Sequence, residues 1–323
     1  MMALARFFTA AACAACALAA SAQTADFPSK PVHLVVPFAA GGPIDVLARI
    51  IGAKLATATG QQFIVENKAG GNSVIAWDYV ARANPDGYTL LVSGIGSRTI
   101  LPYVATIPFD PARDLVGVTR LADAATIFVA NPKAGMKNLG ELVTQARASP
   151  GKINVAIPAP ATITHFAATV LQRDAAIKLT EVPYKGGAPA MNAVVGGEVE
   201  VMTADIGAVM PQIQAGTLVP LVVGSPSRLP MLPQVPTGVE AGYPNLVAVN
   251  VYGLFAPART PKEVVVRLNG LVAEALRAAD AREQLARLGM VAETSSADAF
   301  EAFMQDQTAK WSPIAKASGI RLN

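Results

Sequence analysis

Short apolar, β-branched runs alternate with amphipathic helix patterns along most of this chain. Residues 32–37, 63–66 and 88–92 are predicted strands, because nearly continuous apolar runs of this length are typical of parallel strands covered on both faces. Between them, residues 44–58 and 73–82 carry apolar side chains at helical spacing. This order predicts an α/β fold with an open, mainly parallel sheet and helices on both faces.

The same alternation returns after residue 125, which indicates a second α/β unit. Strands are predicted at 126–130, 153–157, 179–183, 199–203 and 218–223, and helices at 139–148, 163–173, 188–195 and 208–214. A stiff, proline-rich connection at 225–244 follows. One strand at 247–255 and helices at 261–278, 281–288 and 297–317 are too few for a third sheet domain. We therefore predict two lobes, residues 23–124 with 247–323 and residues 125–246, each a mixed, mainly parallel sheet flanked by helices.

The first 22 residues have the three parts of a secretory signal peptide. Arg6 supplies a short basic start, residues 7–20 form an alanine-rich apolar run, and a small-x-small pattern ends at Ala22. The run is shorter than the roughly 20 apolar residues that a membrane-spanning helix needs. We therefore expect cleavage after Ala22 and export to the periplasm.

Composition limits the partners of the part that follows. Both cysteines, Cys13 and Cys16, lie in the signal segment, so the exported protein relies on its core and not on disulfides. Of 26 basic residues only Arg6 precedes residue 23, which leaves 25 basic against 23 acidic residues. A nucleic-acid binder needs a strong local excess of positive charge, so no nucleic-acid partner is expected. No later apolar run is long enough to span a bilayer.

Six segments, taken in order, resemble one known family. They are VVPFAAGGPID (35–45), ENKAGGNSVIAWDYVARANPDGYTLL (66–91), PFDPARDL (108–115), VPYKGGAPAMNAVVGGEVEVM (182–202), LPQVPTGVEAGYP (232–244) and GLFAPARTPKEVVVRLN (253–269). The chain is similar to the Bug/TctC family, the periplasmic solute receptors of tripartite tricarboxylate transporters. The resemblance implies a type II periplasmic-binding-protein fold, in which two lobes close on a carboxylated solute. It implies a monomer without a cofactor, and integral-membrane transporter subunits as partners.

The turn at 37–45 is the strongest candidate for binding the solute. It follows a buried strand and opens a helix, where small residues let a ligand approach unpaired N–H groups. Ligands of open α/β sheets bind at such strand ends. The candidates here are Phe38, Ala39, Ala40, Gly41, Gly42 and Asp45. The family resemblance implies carboxylate contact by Phe38, Ala39 and Ala40, while Asp45 stabilises the helix dipole or holds the loop. The alternative is an ordinary tight turn.

Two serines are further candidates at the same edge of the sheet. Ser73 ends a strand-to-helix turn at 69–73, and Ser93 follows the third predicted strand. The family resemblance implies that the first of these turns borders the cleft. The alternative for Ser73 or Asn72 is a helix N-cap, which needs no ligand.

The segment at 158–165 departs from the family, whose members usually have a Gly/Ser-rich loop here. Pro158 and Pro160 remove two N–H donors, and alanine replaces glycine. Thr162 and Thr164 remain as donors, and His165 either donates to the solute or is structural. We therefore hypothesise a less polar distal pocket and a solute with one strong carboxylate end and a more apolar body.

Two more segments of the second lobe carry candidates. Tyr184, Lys185 and Gly186 follow a strand and precede a helix, so their backbone N–H groups can face the cleft, whereas the Lys185 side chain is expected in solvent. Asp205 matches the family position that closes the pocket floor. Its alternatives are a loop-holding role and a helix N-cap.

The sequence offers little for an enzyme. Only His33 and His165 are available as bases, and no Gly-x-Ser-x-Gly elbow or nucleotide-binding glycine pattern occurs. No His/Cys/Asp cluster has metal-ligand spacing. A receptor that feeds a sensor instead of a transporter stays open as the alternative function, and an exported hydrolase is the third choice.

Overall fold

The computed structural model describes residues 27–322, so the predicted signal peptide lies outside the described residues. The strands are β1 (Val32–Val36), β2 (Phe63–Asn67), β3 (Thr89–Gly94), β4 (Leu115–Ala130), β5 (Asn154–Ile157), β6 (Thr180–Pro183), β7 (Val201–Asp205), β8 (Val219–Val223), β9 (Val249–Pro257) and β10 (Met290–Ala292). The helices are α1 (Pro43–Thr59), α2 (Val74–Ala81), α3 (Gly96–Thr99), α4 (Leu139–Ala148), α5 (Ile163–Ala175), α6 (Gly187–Gly196), α7 (Ile206–Gln214), α8 (Lys262–Arg277), α9 (Ala279–Arg287) and α10 (Ala297–Ala317).

All of these strands join one mixed sheet. Its order is β2-β1-β3-β9-β4-β7-β5-β6, and β8 and β10 also pair with β4. The outer pairs β1–β2, β1–β3, β5–β6 and β5–β7 are parallel, as the strand–helix alternation predicts. Every pairing of β4 or β9 is antiparallel. The sheet is therefore mixed, as expected, and its outer pairs are parallel. It is not mainly parallel, because the five pairings at the centre are all antiparallel against four parallel ones.

Strand β4 joins the two ends of this sheet. We predicted only its last part, 126–130, but the strand runs over 16 residues from Leu115. Thr119, Arg120 and Asp123 interrupt the apolar pattern in its first part, and its register against β9 shifts twice there. The two sheets that we expected are therefore one continuous sheet.

The registers make the strand ends of the two halves of the sheet face each other. The first half contains β1, β2 and β3, which run in the direction of β4, since β3 and β4 are both antiparallel to β9. The second half contains β5, β6 and β7, which run the opposite way. Gly94 at the end of β3 pairs with Tyr252 of β9, which in turn pairs with Ala122 of β4. Asp205 at the end of β7 pairs with Thr126 of β4. The two ends are thus about 13 Å apart along β4 at the usual rise per strand residue.

Each half packs helices against both faces of the sheet. In the first half, α1, α8 and α9 cover one face, while α2 and α10 cover the other. In the second half, α6 and α7 cover one face, while α4 and α5 cover the other. Helix α10 belongs to both halves, because Phe300 and Met304 lie in a first-half core and Trp311 and Ala315 in a second-half core.

Candidate functional site

The turn after β1 presents main-chain N–H groups to solvent. Phe38, Ala39 and Ala40 are exposed, and their N–H groups donate to no acceptor within residues 27–322. Gly41 then takes φ +84, a left-handed conformation that favours glycine. Pro43 opens the 17-residue helix α1 directly behind this turn. Unpaired amides beside the positive end of a long helix suit an anionic group.

Asp45 holds this turn in place from the inside. Its side chain is only 3% exposed and accepts hydrogen bonds from Gly41 N, Asn67 Nδ2 and Arg49 Nε, each at 2.9 Å. Asn67 also donates to the Phe38 carbonyl at 2.9 Å. Burial raises the pKa of Asp45, but the hydrogen bonds from Arg49, Gly41 and Asn67 outweigh it and lower this pKa to about 2. Both carboxylate oxygens are occupied, so Asp45 braces the turn, and its contact with a solute stays a prediction.

The turn between β2 and α2 brings two serines together. Asn72 and Ser73 adopt φ +49 and +75, and the Ser73 hydroxyl pairs with Ser97 Oγ at 2.7 Å. Ser73 occupies the N-cap position of α2 without a capping side-chain hydrogen bond, so the alternative capping role is wrong for Ser73. Ser97 lies in the first turn of α3, so the pair joins two neighbouring turns at one edge of the sheet.

The structure places Ser93 inside the core and not at the rim. Its side chain is fully buried, and its hydroxyl accepts from Trp77 Nε1 at 3.0 Å. The Trp77 ring packs on Phe255 with 4.9 Å between ring centroids. Ser93 therefore satisfies a buried indole, and its contact with a solute remains a prediction without support from this geometry.

The turn after β5 is held by the hydroxyls of Thr162 and Thr164. Thr162 Oγ1 donates to the Ala159 carbonyl at 2.8 Å and lies 2.8 Å from Thr164 Oγ1. Because a hydroxyl has one proton, Thr164 must donate to Thr162. Both protons are therefore used within the turn, which differs from our expectation that these threonines donate outward. The first-turn N–H groups of α5, from Ile163 and Thr164, have no intrahelical acceptor, and both residues are buried.

His165 lies behind this turn with both ring nitrogens in use. Its Nδ1 accepts the Ala161 N–H at 3.0 Å, and its Nε2 lies 2.9 Å from Glu181 Oε2. The residue is only 5% exposed. Burial raises the pKa of Glu181, but hydrogen bonds from His165 and Gln172 lower it overall. Of the two roles considered for His165, this geometry fits the structural one.

The turn after β6 is tied to the turn after β5. Gly186 adopts φ +118, and its N–H donates to the Pro158 carbonyl at 2.8 Å. Tyr184 is half-buried against the core beneath α6 and α7. Lys185 is exposed. The N–H groups of Tyr184 and Gly186 are thus used within the molecule, since Tyr184 donates to the Ile157 carbonyl, and the expectation that they face a solute is wrong. The Lys185 side chain lies in solvent as expected.

Asp205 joins the two halves at the centre of the sheet. From the end of β7 it accepts hydrogen bonds from Asn250 Nδ2 and from the Tyr252 hydroxyl, the latter at 2.8 Å. Burial raises the pKa of Asp205 despite these two donors. Its side chain makes no capping hydrogen bond to α7, so the alternative capping role is wrong. With only neutral donors around it, Asp205 holds β7 against β9.

The turns of the two halves approach each other across the middle of β4. A Cβ atom placed on Gly96, after β3, would lie 3.9 Å from Ile163 Cγ1, after β5. This contact places the start of α3 beside the start of α5. Among the described residues, no group of three or more His, Cys, Asp or Glu side chains is arranged to hold a metal ion. No helix in 27–322 combines the length and apolarity required to span a bilayer.

Several site residues were missed by sequence reasoning. Asn67, Ser97 and Glu181 contact the predicted turns, although they lie up to 29 positions away along the chain, and Gln172 in turn contacts Glu181. The segments containing Asn67 and Ser97 sit at strand ends, which is a signal for the site edge. Nothing in the local pattern marks Gln172 or Glu181.

Comparisons with known proteins fit this geometry. The model of the TctC family, described as tripartite tricarboxylate transporter family receptor, matches residues 47–320. The chain is 32% identical over 307 residues to protein BugT of Bordetella pertussis, covering 94% of each chain. It is 34% identical over 289 residues to a Pseudomonas sp. strain P51 protein from the tcbD-tcbE intergenic region, covering 89% of this chain and 86% of the relative.

Solved structures give the same result. The R. palustris protein Rpa4515 with adipate superposes with a TM-score of 0.85 at 30% identity, covering 91% of this chain and 99% of that one. Periplasmic binding protein BugD gives 0.82 at 31% identity, with 91% and 99% covered. MatC from Rhodopseudomonas palustris with bound malate gives 0.81 at 31% identity, with 90% and 100% covered. The resemblance predicted from sequence is confirmed: the chain belongs to the TctC family of tripartite tricarboxylate transporter receptors, which bind solutes and are not enzymes.

Proposed function

We propose that this protein is a periplasmic receptor that captures a small carboxylated solute and delivers it to the membrane subunits of a tripartite tricarboxylate-type transporter. The observation that carries the proposal is that the N–H groups of Phe38, Ala39 and Ala40 meet no acceptor in the part of the chain that the structure describes. They lie at the strand ends of the first half, which face those of the second half. A carboxylate placed there accepts hydrogen bonds from main-chain N–H groups, so no positively charged side chain is required.

The solute would lie in a cleft between two lobes, residues 23–124 with 247–323 and residues 125–246. Separate cores on the two halves of the sheet support this division. Ile100, Leu101 and Val104 pack into a second-half core, and the end of α10 packs into the same core. These two segments therefore connect the lobes by apolar contacts. Hinge closure around the solute would bend the chain at the two places where it crosses between the lobes, within β4 near residue 125 and just before β9 near residue 247.

A dicarboxylate with a short apolar body fits the two walls. Relatives at 30% and 31% identity have structures with adipate and with malate. In this chain, one carboxylate would meet the Phe38–Ala40 amides and the other the first-turn amides of α5. Pro158 and Pro160 have no N–H to donate between these two binding positions. This disfavours a solute with polar groups in its middle, such as citrate.

Export precedes this function. Cleavage after Ala22 would release the chain into the periplasm as a monomer. The periplasmic relatives support the compartment, and the basic, apolar and small-residue parts of the first 22 residues support the cleavage site.

A thermal-shift panel of adipate, malate, citrate and aliphatic monocarboxylates tests the proposal. A solute at 100 times its Kd stabilises the fold by about 2.7 kcal/mol, which raises Tm by several degrees. A folded protein that shifts with none of the carboxylates would contradict the function. A preference of tenfold or more for citrate over adipate would contradict the apolar body alone.

A negative charge introduced into the turn after β1 tests whether the solute carboxylate binds there. Ala39→Glu adds an anion beside the Phe38–Ala40 amides, so we expect adipate affinity to fall by ~10-fold or more. Ala286→Glu, on the exposed face of α9, is the matched control and should bind as the parent protein does. Loss of solute uptake on gene deletion would then indicate a transporter partner, whereas intact uptake with a lost solute response would indicate a sensor.

A further inference from the structure

We infer that His165 is a positioning residue that holds the turn after β5 in a conformation its sequence disfavours, a role in solute binding that rests on the proposed function. The residue at issue is Ala161, whose φ of +57 lies in the left-handed region. This region is unfavourable for an L-residue with a Cβ, because the Cβ comes too close to the following carbonyl oxygen. Glycine would adopt it freely, so a turn with alanine here needs another source of stability.

The hydrogen bond from Ala161 to His165 supplies that stability. The Ala161 N–H donates to His165 Nδ1 at 3.0 Å. A backbone amide only donates, so Nδ1 carries no proton in this arrangement. The ring proton is then on Nε2, which donates to Glu181 Oε2 at 2.9 Å. The structure thus assigns His165 a single neutral tautomer with its acceptor facing the turn.

The imidazole is itself fixed by groups from α5 and β6. Glu181 Oε1 accepts from Gln172 Nε2 at 2.9 Å, and Gln172 Oε1 accepts the Leu179 N–H at 2.8 Å. This series of hydrogen bonds leaves no ring nitrogen for a solute. His165 therefore acts through Ala161 and the N-cap Thr162, and not by direct contact.

The turn after β1 has the same geometry, which supports a positioning role. Gly41 is left-handed, and its N–H donates to the side chain of Asp45, four residues later in the first turn of α1. Ala161 donates to His165, also four residues later in the first turn of α5. Two turns at equivalent strand ends thus use one bracing arrangement with different acceptors.

A double-mutant cycle tests the inference without any solute. His165→Ala should lower Tm by a few degrees, because Ala161 loses its partner. Ala161→Gly should recover much of that loss in the His165→Ala background, since glycine accepts φ +57 without a brace. In the parent background the same change should have a clearly smaller effect. If His165 only fills space in the core, Ala161→Gly will change Tm equally in both backgrounds, and the inference fails.

The tautomer can be measured in the unmodified protein, so the test does not depend on a variant that folds. Nitrogen NMR of the His165 ring at neutral pH should show a proton on Nε2 and none on Nδ1. The opposite tautomer would overturn the inference. Hydrogen exchange at the Ala161 amide should also be slow in the parent protein and about tenfold faster or more in His165→Ala.

Adipate serves as the probe for the link to binding. Its affinity should fall in His165→Ala and recover in the double variant with Ala161→Gly. A normal affinity in His165→Ala would contradict the positioning role. A parent protein that binds no carboxylate would contradict the proposed function, while the tautomer and the cycle would still decide the role of His165.

Discussion

The turns after β1 and β5 share a backbone arrangement and differ in what stabilises it. At the first, glycine occupies the left-handed position and a carboxylate, Asp45, accepts its N–H. At the second, alanine occupies that position and a neutral imidazole, His165, accepts instead. The charged acceptor needs a cation and further donors around it, which Arg49 and Asn67 provide. The neutral acceptor needs one partner, Glu181, at its far nitrogen.

This difference matches the two roles proposed for the turns. The first turn keeps the N–H groups of Phe38, Ala39 and Ala40 free for a carboxylate, because Asp45 and Asn67 hold the backbone from behind. The second turn loses donors at Pro158 and Pro160 and uses its own hydroxyls internally. We therefore expect the turn after β1 to bind a carboxylate more strongly than the turn after β5 does.

Removing the charge of Asp45 should have the largest effect. Asp45→Asn leaves Arg49 and the Gly41 N–H without their buried carboxylate, so we expect a loss of about 3 kcal/mol in the free energy of unfolding at pH 7, measured with urea. Asp78→Asn is the matched control, because Asp78 pairs with Arg82 at the same i,i+4 spacing on an exposed surface. It should lose under ~0.5 kcal/mol. Equal losses would show that the brace is not needed.

Lowering the pH should remove part of the contribution that Asp45 makes to the free energy of unfolding. The pKa of Asp45 is lowered from 3.8 to about 2, so its stabilisation is present above pH 4 and is lost as pH falls through 2. The shift corresponds to about 2 kcal/mol. The stability difference between the parent protein and Asp45→Asn should therefore shrink across this window. A difference that stays constant down to pH 2 would mean that Asp45 does not titrate as described.

Replacement of Gly41, the left-handed residue of the turn after β1, should lower the free energy of unfolding by less than Asp45→Asn does. Gly41→Ala places a Cβ at φ +84 with no other atom within 4 Å, so only the backbone conformation is penalised, by about 1–2 kcal/mol. Gly270→Ala, also without a neighbour within 4 Å but inside α8, should stabilise by up to ~1 kcal/mol. The same sign at both positions would contradict the assigned role of Gly41.

Lys185 should show the smallest effect. Its side chain is exposed beside Gly186, so Lys185→Ala should change the free energy of unfolding by less than ~0.5 kcal/mol. Adipate affinity measured by calorimetry should change by less than about twofold, since an exposed cation is screened by salt. A tenfold loss would show that the second lobe also binds the solute through a charge.

The sequence predicted elements better than contacts. The bounds of α4 and α10 match their predictions because apolar spacing is local. The first part of β4 was missed because polar residues and register shifts break the alternation that marks a strand. Within the site, the turns were found from strand ends and small residues. The side chains that hold these turns in place were not predicted. The pairing of His165 with Glu181, for example, depends on how α5 packs on β6, and no local sequence pattern encodes that packing.

Strand β9 lies between β3 and β4, yet it is made after them and after the whole second half. Residues 249–257 pair with positions 91–94 and 115–125, so closing the middle of the sheet spans well over a hundred residues. Contacts of such long range form slowly, and a nascent chain lacks them until most of it has been synthesised. A fragment that ends before residue 249 would keep two unpaired strand edges, and is expected to aggregate.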